Sequence, residues 1–318
     1  MSAEPPTGAD PGRAGAPPPP ASPRVPHVSP GHLVWLRKLF ALLQALSPAL
    51  AARLAFRLFL RTFRHPLRAE DRAVLARARR HRLMAGTQAF EVHEWGSGDR
   101  LAIILHGWGS SAARFTRMAE TLQGRGWRVL VPDAPGHGAS PGNSSSLPQF
   151  IAALDAIVAR FGPPQALIGH SLGALGIARR HADGPPDWAS QLRAVVLISM
   201  PSGAPFLLEV FLNALGIRTA TQAKLVGLFE QRFRAGVDSY ASLPGAARIA
   251  ARLLLVHDGG DDIVPWAHSD ALLREAGARI GVGGRTARLL NTAGLGHSAL
   301  TRDAATITQI ADFLDEAS

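Results

Sequence analysis

Short apolar runs alternate with amphipathic stretches from about residue 85 to the end of this 318-residue chain. The runs have the length of buried strands, and the stretches between most of them have helical periodicity. Because parallel strands are buried on both faces and are joined by helices, the alternation predicts an α/β fold with a mostly parallel central sheet and helices on both faces. We predict strands over 101–105, 129–131, 166–168, 194–198, 253–256 and 287–290, and helices over 110–123, 147–161, 172–181, 267–275 and 304–313.

Two parts of this domain depart from the regular pattern. The run 89–95 alternates polar and apolar residues and indicates an antiparallel edge strand. Between Ser202 and Leu243 the chain has helical, mostly apolar stretches but no strand-like run. An insertion at this point lies above the carboxyl ends of the strands, where open α/β sheets bind ligands. We therefore predict a small helical cap over about 203–247.

The first 30 residues are rich in Pro, Ala and Gly and have too few apolar side chains to pack. This composition predicts a disordered tail over residues 1–30. The tail lacks the basic start and apolar stretch of a signal peptide, and we expect a cytoplasmic protein. The chain has no cysteine, which excludes disulfides, thiolate catalysis and cysteine-based metal sites.

The net charge of +10 is concentrated in one N-terminal segment. Residues 31–82 carry twelve Lys or Arg and two acids, whereas residues 83–318 carry 20 basic and 20 acidic residues. The part of the chain that follows the basic segment is therefore formally neutral. For that reason we do not expect nucleic-acid binding.

This basic segment is interpreted as an amphipathic helical extension over residues 31–84. Within this extension, the spacing of apolar and basic residues over 31–64 predicts two helices. The second helix would be capped by Ser47, which precedes Pro48. The longest charge-free stretch, 39–52, is shorter than the roughly 20 residues that a membrane-spanning helix needs. We expect the apolar face of 31–64 to dock on the globular domain. Peripheral contact of this segment with an anionic membrane is the alternative.

A serine lies at the junction of a predicted strand and a predicted helix. The pentapeptide 169–173 reads G-H-S-L-G, directly after the run 166–168, and its central residue is Ser171. Such a turn is so tight that glycines are needed beside the serine, whose oxygen then projects above the sheet. The pattern predicts Ser171 as a nucleophile.

A serine hydroxyl needs a general base, because it is a poor nucleophile at neutral pH. Among the 12 histidines, His297 lies in the glycine-rich segment 294–297, just beyond the last strand-like run. A flexible loop of this kind can bring a side chain over the site, which favours His297 as the base.

The base in turn needs an acid that fixes its tautomer and stabilises its protonated form. The segment 256–265 follows a strand and offers three candidates, Asp258, Asp261 and Asp262. The chain order Ser, Asp, His is that of a known arrangement of these groups, but the residues alone do not distinguish the three aspartates.

Taken together, these motifs resemble the α/β-hydrolase superfamily over about residues 85–318. The resemblance implies the α/β-hydrolase fold and a serine hydrolase similar to carboxylesterases. In that family the acid lies four residues before the proline of a D-x-x-V-P pattern, and the segment 261–265, D-D-I-V-P, matches with Asp261 as the acid. The serine at position 171 differs from the aspartate nucleophile of dehalogenases and epoxide hydrolases.

The resemblance also implies an oxyanion hole. The segment 106–109, H-G-W-G, follows the predicted strand 101–105 and is similar to the H-G-x-G turn of the family. By this similarity, the backbone N–H groups of Trp108 and Leu172 would stabilise the oxyanion.

Three further histidines follow predicted strands. His137 lies in the segment 133–138, D-A-P-G-H-G, which is similar to a structural turn of the family and is interpreted as structural together with Asp133. His170 is interpreted as a support for the site. The spacing of His106, His137 and His170 does not match a known metal-ligand set, so we expect neither a metal nor a cofactor.

The predicted function is hydrolysis of a carboxylic ester or thioester through an acyl-enzyme, with a small-molecule acyl substrate. Two alternatives remain open at this point: a membrane-associated lipase or acyltransferase, and a non-catalytic binding module on the same fold. The sequence predicts neither the acyl chain length nor the oligomeric state.

Overall fold

A computed structural model describes residues 30–280 and 287–317. The tail predicted for residues 1–30 therefore lies outside the described residues, except for Pro30, the first residue of a helix. The described residues form eight strands: β1 (Arg79–Ala85), β2 (Gln88–Trp95), β3 (Arg100–Leu105), β4 (Trp127–Asp133), β5 (Ala166–His170), β6 (Ala194–Ile198), β7 (Arg252–Asp258) and β8 (Ala287–Thr292).

The eight strands form one sheet in the order β1-β2-β4-β3-β5-β6-β7-β8. Strand β2 is antiparallel to both of its neighbours, and every other pairing is parallel. The carboxyl ends of β3 to β8 therefore meet at one edge of the sheet. The mostly parallel sheet predicted from the alternation of runs is confirmed.

Twelve helices surround this sheet within the described ranges. They are α1 (Pro30–Leu46), α2 (Pro48–Phe59), α3 (Ala69–Arg77), α4 (Thr116–Gly124), α5 (Leu147–Phe161), α6 (Leu172–Ala182), α7 (Ala204–Leu215), α8 (Thr219–Phe233), α9 (Leu243–Ala246), α10 (Ala267–Ile280), α11 (Gly296–Ala299) and α12 (Ala304–Glu316).

The sheet buries both of its faces, as the apolar runs require. In β3, Leu101, Ile103 and Leu105 join the core on one face, where α5, α6 and the inserted helices pack. The alternate residues Ala102 and Ile104 join the second core, which α4 and α12 cover. Because successive side chains of a strand point to opposite faces, a run buried on both sides is apolar at every position.

The first strand corrects two sequence-based expectations. Residues 79–84 form part of β1 and are not helical, so the helical part of the extension ends with α3. β1 also takes the edge position predicted for 89–95, which pairs with it as β2. The run Arg79 to Arg82 gave no strand signal because its charged side chains are largely exposed. They pair with Glu91 and Glu94 of β2, as is common on an edge strand.

The cap predicted over 203–247 corresponds to α7, α8 and α9, which lie between β6 and β7. The described residues of this interval form no strand beyond an isolated bridge between Gly203 and Ala241.

The two N-terminal helices pack on this cap. Helix α1 contacts α7, and α2 contacts α8. Buried Ala51, Ala52 and Ala55 allow α2 to approach its neighbour closely, and the rings of Phe59 and Phe211 meet edge to face at 5.2 Å. Burial of this inner face stabilises the arrangement by removing apolar surface from water.

Polar contacts fix the register of this packing. The Gln44 side chain donates to the carbonyl of Gly216 at 3.1 Å and accepts from the N–H of Arg218 at 2.6 Å. The Ser47 hydroxyl accepts from the N–H of Leu50, so the predicted cap of α2 is confirmed. In the described ranges, no helix is both long and apolar enough to cross a membrane.

Candidate active site

Ser171 occupies a strained turn between β5 and α6. Its backbone has φ 52° and ψ −115°, a region that side-chain-bearing residues rarely adopt. A Cβ at Gly169 would lie 2.5 Å from Ala174 Cα, and one at Gly173 would lie 2.3 Å from the Leu105 carbonyl oxygen. The two glycines predicted to flank the serine are therefore required by the closeness of the strand and the helix.

His297 lies in the short helix α11, which follows β8. Its Nδ1 is 2.8 Å from Asp261 Oδ2, and the two residues are 8% and 1% exposed. Because a carboxylate accepts, the ring donates through Nδ1, and in the neutral ring Nε2 is then left as the acceptor. His297 and Ser171 line the same cavity.

Asp261 is held as a buried carboxylate. Its Oδ1 accepts from the N–H groups of Ile263 and Val264, both at 2.9 Å. Burial raises the pKa of this carboxyl, but hydrogen bonds from His257, His297 and the backbone outweigh it, and the pKa lies well below its ordinary value. Asp261 is therefore ionised at neutral pH beside His297.

Asp258, a competing candidate for the acid, has other partners. Its Oδ1 accepts from the N–H of Gly260 at 2.9 Å, and its Oδ2 accepts from the Thr292 hydroxyl at 2.8 Å and the Leu295 N–H at 3.0 Å. These bonds brace the loop that leads to His297. Asp262, the third candidate, is partly exposed.

The two residues that the resemblance names for the oxyanion hole, Trp108 and Leu172, lie in the segments next to the serine. Leu172 is the first residue of α6, a position whose N–H has no acceptor within the helix. Trp108 follows Gly107, where an added Cβ would lie 3.0 Å from Ser171 Cβ. The turn after β3 therefore lies directly against the serine, and Trp108 and Leu172 both line the cavity.

A buried histidine holds that turn in place. His106 donates through Nδ1 to the Gly107 carbonyl at 2.7 Å and accepts through Nε2 from the Ala134 N–H at 3.0 Å. Both ring nitrogens are thus used by the neutral form, and burial lowers the pKa of His106. A charged ring would lose the bond from Ala134.

His170 contacts the backbone of His297. Because a carbonyl only accepts, His170 Nε2 donates to the His297 carbonyl at 2.9 Å. Burial, followed by the nearby His297, lowers the pKa of His170 well below its ordinary value. His170 is a neutral donor that positions the segment carrying His297.

The turn after β4 has structural contacts. Asp133 accepts from the N–H groups of Ala112 and Ala139, at 2.7 and 2.8 Å, and His137 donates to the Pro135 carbonyl at 3.1 Å. Burial, with the neighbouring His106, lowers the pKa of His137 to about 3. Across the described residues, no group of three or more acidic or histidine side chains could hold a metal ion.

A cavity of about 460 Å³ extends from Ser171 and His297 into the cap. Its walls are mainly apolar and come partly from α7 and α8. The N-terminal helices form another wall, which the sequence did not predict. The residues of this wall are His32, Leu33, Leu36, Leu58, Phe59, Leu60, Arg61 and Phe63.

Arg114 is a second feature that sequence reasoning missed. Its guanidinium donates to the Ser110 hydroxyl and to the Ser298 carbonyl, both at 3.2 Å, and lines the cavity. It thereby joins the turn after β3 to the segment after His297. No motif marks this arginine, because one of its two partners, Ser298, lies 184 residues away in the chain.

Comparison with known proteins identifies the family. The model of a family described as the alpha/beta hydrolase family matches residues 102–309, more than half of the chain. The chain belongs to the alpha/beta hydrolase family. The matched residues include the serine turn, the segment after β7 and the histidine segment.

Curated relatives match over shorter stretches. A pimeloyl-[acyl-carrier protein] methyl ester esterase of Chromobacterium violaceum is 42% identical over 95 residues, which cover 29% of this chain and 35% of the relative. A non-heme haloperoxidase of Rhodococcus erythropolis is 34% identical over 137 residues, 40% of this chain and 48% of the relative. The chain thus spans between a third and a half of the length of these two relatives.

An esterase of Pyrococcus furiosus, known as a crystal structure, has a similar fold. It superposes with a TM-score of 0.58 at 17% identity, over 81% of this chain and 97% of the esterase. At this identity the likeness concerns the fold.

Proposed function

We propose that this hydrolase cleaves a carboxylic ester or thioester by a serine mechanism, with Ser171 as nucleophile, His297 as general base and Asp261 as the orienting acid. The observation that carries the proposal is the opening of one cavity onto both the strained serine turn and the Asp261–His297 pair. The esterase relative from Chromobacterium violaceum supports an ester substrate.

In the proposed reaction, Ser171 Oγ attacks the carbonyl carbon while His297 Nε2 takes its proton. The N–H groups of Trp108 and Leu172 donate to the oxyanion of the tetrahedral intermediate. His297 then protonates the leaving alcohol or thiol, and the acyl group remains on Ser171. Water, deprotonated by His297, releases the acid and restores the serine. Asp261 stabilises the protonated ring throughout.

The cavity favours an apolar acyl group. Its walls beyond the catalytic end come from leucine and phenylalanine side chains of α1, α2, α7 and α8. Apolar surface that enters such a cavity leaves water, which favours binding. We propose an acyl ester or thioester with a hydrocarbon chain as the substrate class.

Labelling with a fluorophosphonate probe tests the mechanism, because only an activated serine reacts readily. We expect stoichiometric labelling of the full chain, loss of labelling in Ser171→Ala, and hydrolysis of a soluble acyl ester that depends on the same serine. Ser199→Ala is the matched control, since Ser199 also follows a strand and also has a positive φ, but does not line the cavity. Undiminished labelling of Ser171→Ala refutes the assignment. Failure of the wild type to label or hydrolyse would favour a non-catalytic binding module.

A further inference from the structure

The helix pair α1–α2 has an apolar outer face besides the inner face that packs on the cap. Nine large apolar side chains are exposed among the described residues, and six of them lie on these two helices. We call these six residues the outer face; they are 39–73% exposed. They are Val34, Trp35, Leu42, Leu46, Leu50 and Leu54.

Helical spacing gathers five of these six side chains into stripes, and Val34 lies to one side of them. On α1, Leu42 follows Trp35 after two turns, and Leu46 follows after one more. On α2, Leu50 and Leu54 are likewise one turn apart. The two helices meet at Ser47, so the stripes adjoin at the junction. An apolar surface of this extent marks a contact site on a protein surface.

Cations interleave with the apolar stripe. Exposed Lys38 lies one turn after Trp35, and exposed Arg53 and Arg57 lie one turn after Leu50 and Leu54. The whole stretch 31–69 contains no acidic residue. Trp and Leu flanked by Lys and Arg are the composition of helices that lie in the interface of an anionic bilayer.

The exposed residues of the cavity lining are close in sequence to the outer face. The exposed residues that line this cavity are His32, Arg61 and Phe63, all within or just after the helix pair. His32 lies one turn before Trp35 on α1. A surface that contacts the outer face at Trp35 therefore lies near an exposed residue of the cavity lining.

We propose that the outer face is a docking surface for an anionic lipid bilayer. A second copy of the chain is disfavoured as the partner. Pairing of two outer faces would bring Lys38, Arg53 and Arg57 near the cations of the other copy, and 31–69 offers no acidic residue to balance them. An acidic protein partner would use the charges and leave the apolar stripe unexplained. The docking proposal depends only on the outer face. The idea that a docked lipid delivers its acyl chain into the cavity also depends on the proposed function.

Sedimentation of the full chain with vesicles tests the proposal. We expect binding to vesicles that contain phosphatidylglycerol and much weaker binding to pure phosphatidylcholine. The triple variant Trp35→Ser, Leu42→Ser, Leu46→Ser should bind at least about tenfold more weakly, because each change removes apolar surface from the interface. Met84→Ser is the matched control, since Met84 is 55% exposed on β1. It should bind as the wild type does.

Other outcomes overturn the docking proposal. Absence of binding to anionic vesicles, or equal binding by the triple variant, removes the bilayer as partner. Binding lost in Arg53→Gln, Arg57→Gln but kept in the triple variant indicates recognition by charge alone and also overturns it. So does a dimer in sedimentation velocity that the triple variant abolishes. Ser171→Ala should bind vesicles normally, so failure of serine labelling contradicts only the proposed function.

Discussion

Two neighbouring aspartates have separate tasks: Asp258 is the last residue of β7, and Asp261 lies three positions later. Asp261 contacts the His297 ring, whereas Asp258 holds the backbone of the loop that precedes it. The residue types and their order in the chain left both aspartates open as the acid that orients His297. Only the resemblance to a family motif favoured Asp261, because the side chain that reaches a histidine 36 residues away depends on the path of the loop.

Replacement of these aspartates should separate the two tasks. In Asp261→Asn the ring loses the carboxylate that fixes its tautomer, and we expect kcat for a soluble ester to fall roughly 10⁴-fold with the fold intact. In Asp258→Asn one acceptor of the loop is lost, and we expect a loss of stability of about 1–3 kcal/mol with a smaller effect on kcat. Steady-state kinetics and urea unfolding measure both. If Asp258→Asn abolishes turnover while Asp261→Asn is nearly silent, the assignment of the acid is wrong.

Buried neutral histidines should make stability depend on pH. The pKa of His137 is about 3 in the folded chain, whereas the pKa of a histidine in an unfolded chain is about 6.5. Between these values the unfolded chain binds a proton that the folded chain does not, so this contribution is complete above pH 6.5 and is lost as pH falls.

Urea unfolding between pH 7 and pH 5 tests this dependence. The free energy of unfolding should decrease, with a slope approaching about 1.4 kcal/mol per pH unit for each such histidine well below pH 6.5. His106 and His170, whose pKa values are also lowered, add to the slope. In His137→Gln the slope should shrink by the equivalent of one proton. An identical slope in that variant contradicts the prediction.

At the scale of elements, the N-terminal helices do more than cover apolar surface. The amphipathic pattern of 31–64 was sufficient to predict two helices and their docking as the preferred outcome. It was not sufficient to predict that Leu36 of α1 and Phe59 of α2 line the cavity that Ser171 also lines. A pattern of apolar spacing tells which face is buried, but the partner of that face depends on the whole packing.

This wall should control the acyl chain length that the enzyme accepts. Leu36→Trp places a larger side chain in the cavity, and we expect kcat/KM to fall at least about tenfold for long acyl esters and little for acetate esters. The control is Leu42→Trp, on the same helix but 59% exposed, which should leave both values unchanged. A series of esters of increasing acyl length measures the effect. A uniform loss for all lengths would mean that Leu36 affects the fold and not the cavity.

At the scale of the whole molecule, the positions of the central strands and their mostly parallel pairing followed from the sequence, because buried parallel strands are apolar at every position. The charged edge strand β1 did not follow, since its stability comes from pairing with β2 and from Glu91 and Glu94. An edge strand whose charged side chains are mostly exposed carries no apolar signal of its own. Arg114 was likewise not predicted, because its contacts join two segments that are far apart in the chain.

Removal of the helix pair should weaken the whole fold and alter its specificity. A chain that begins at residue 69 keeps α3 and β1 but bares the cap surface around Phe211 and Phe233, which α2 covers through Phe59 and Phe56. At about 25 cal/mol per Å² of apolar surface, we expect a loss of several kcal/mol of unfolding free energy. The dependence of kcat/KM on acyl chain length should change, because this wall of the cavity is missing. A chain that begins at residue 30 is the control and should unfold at the same urea concentration as the full chain. Equal stability and unchanged specificity in the chain from residue 69 would show that α1 and α2 contribute neither to the fold nor to the site.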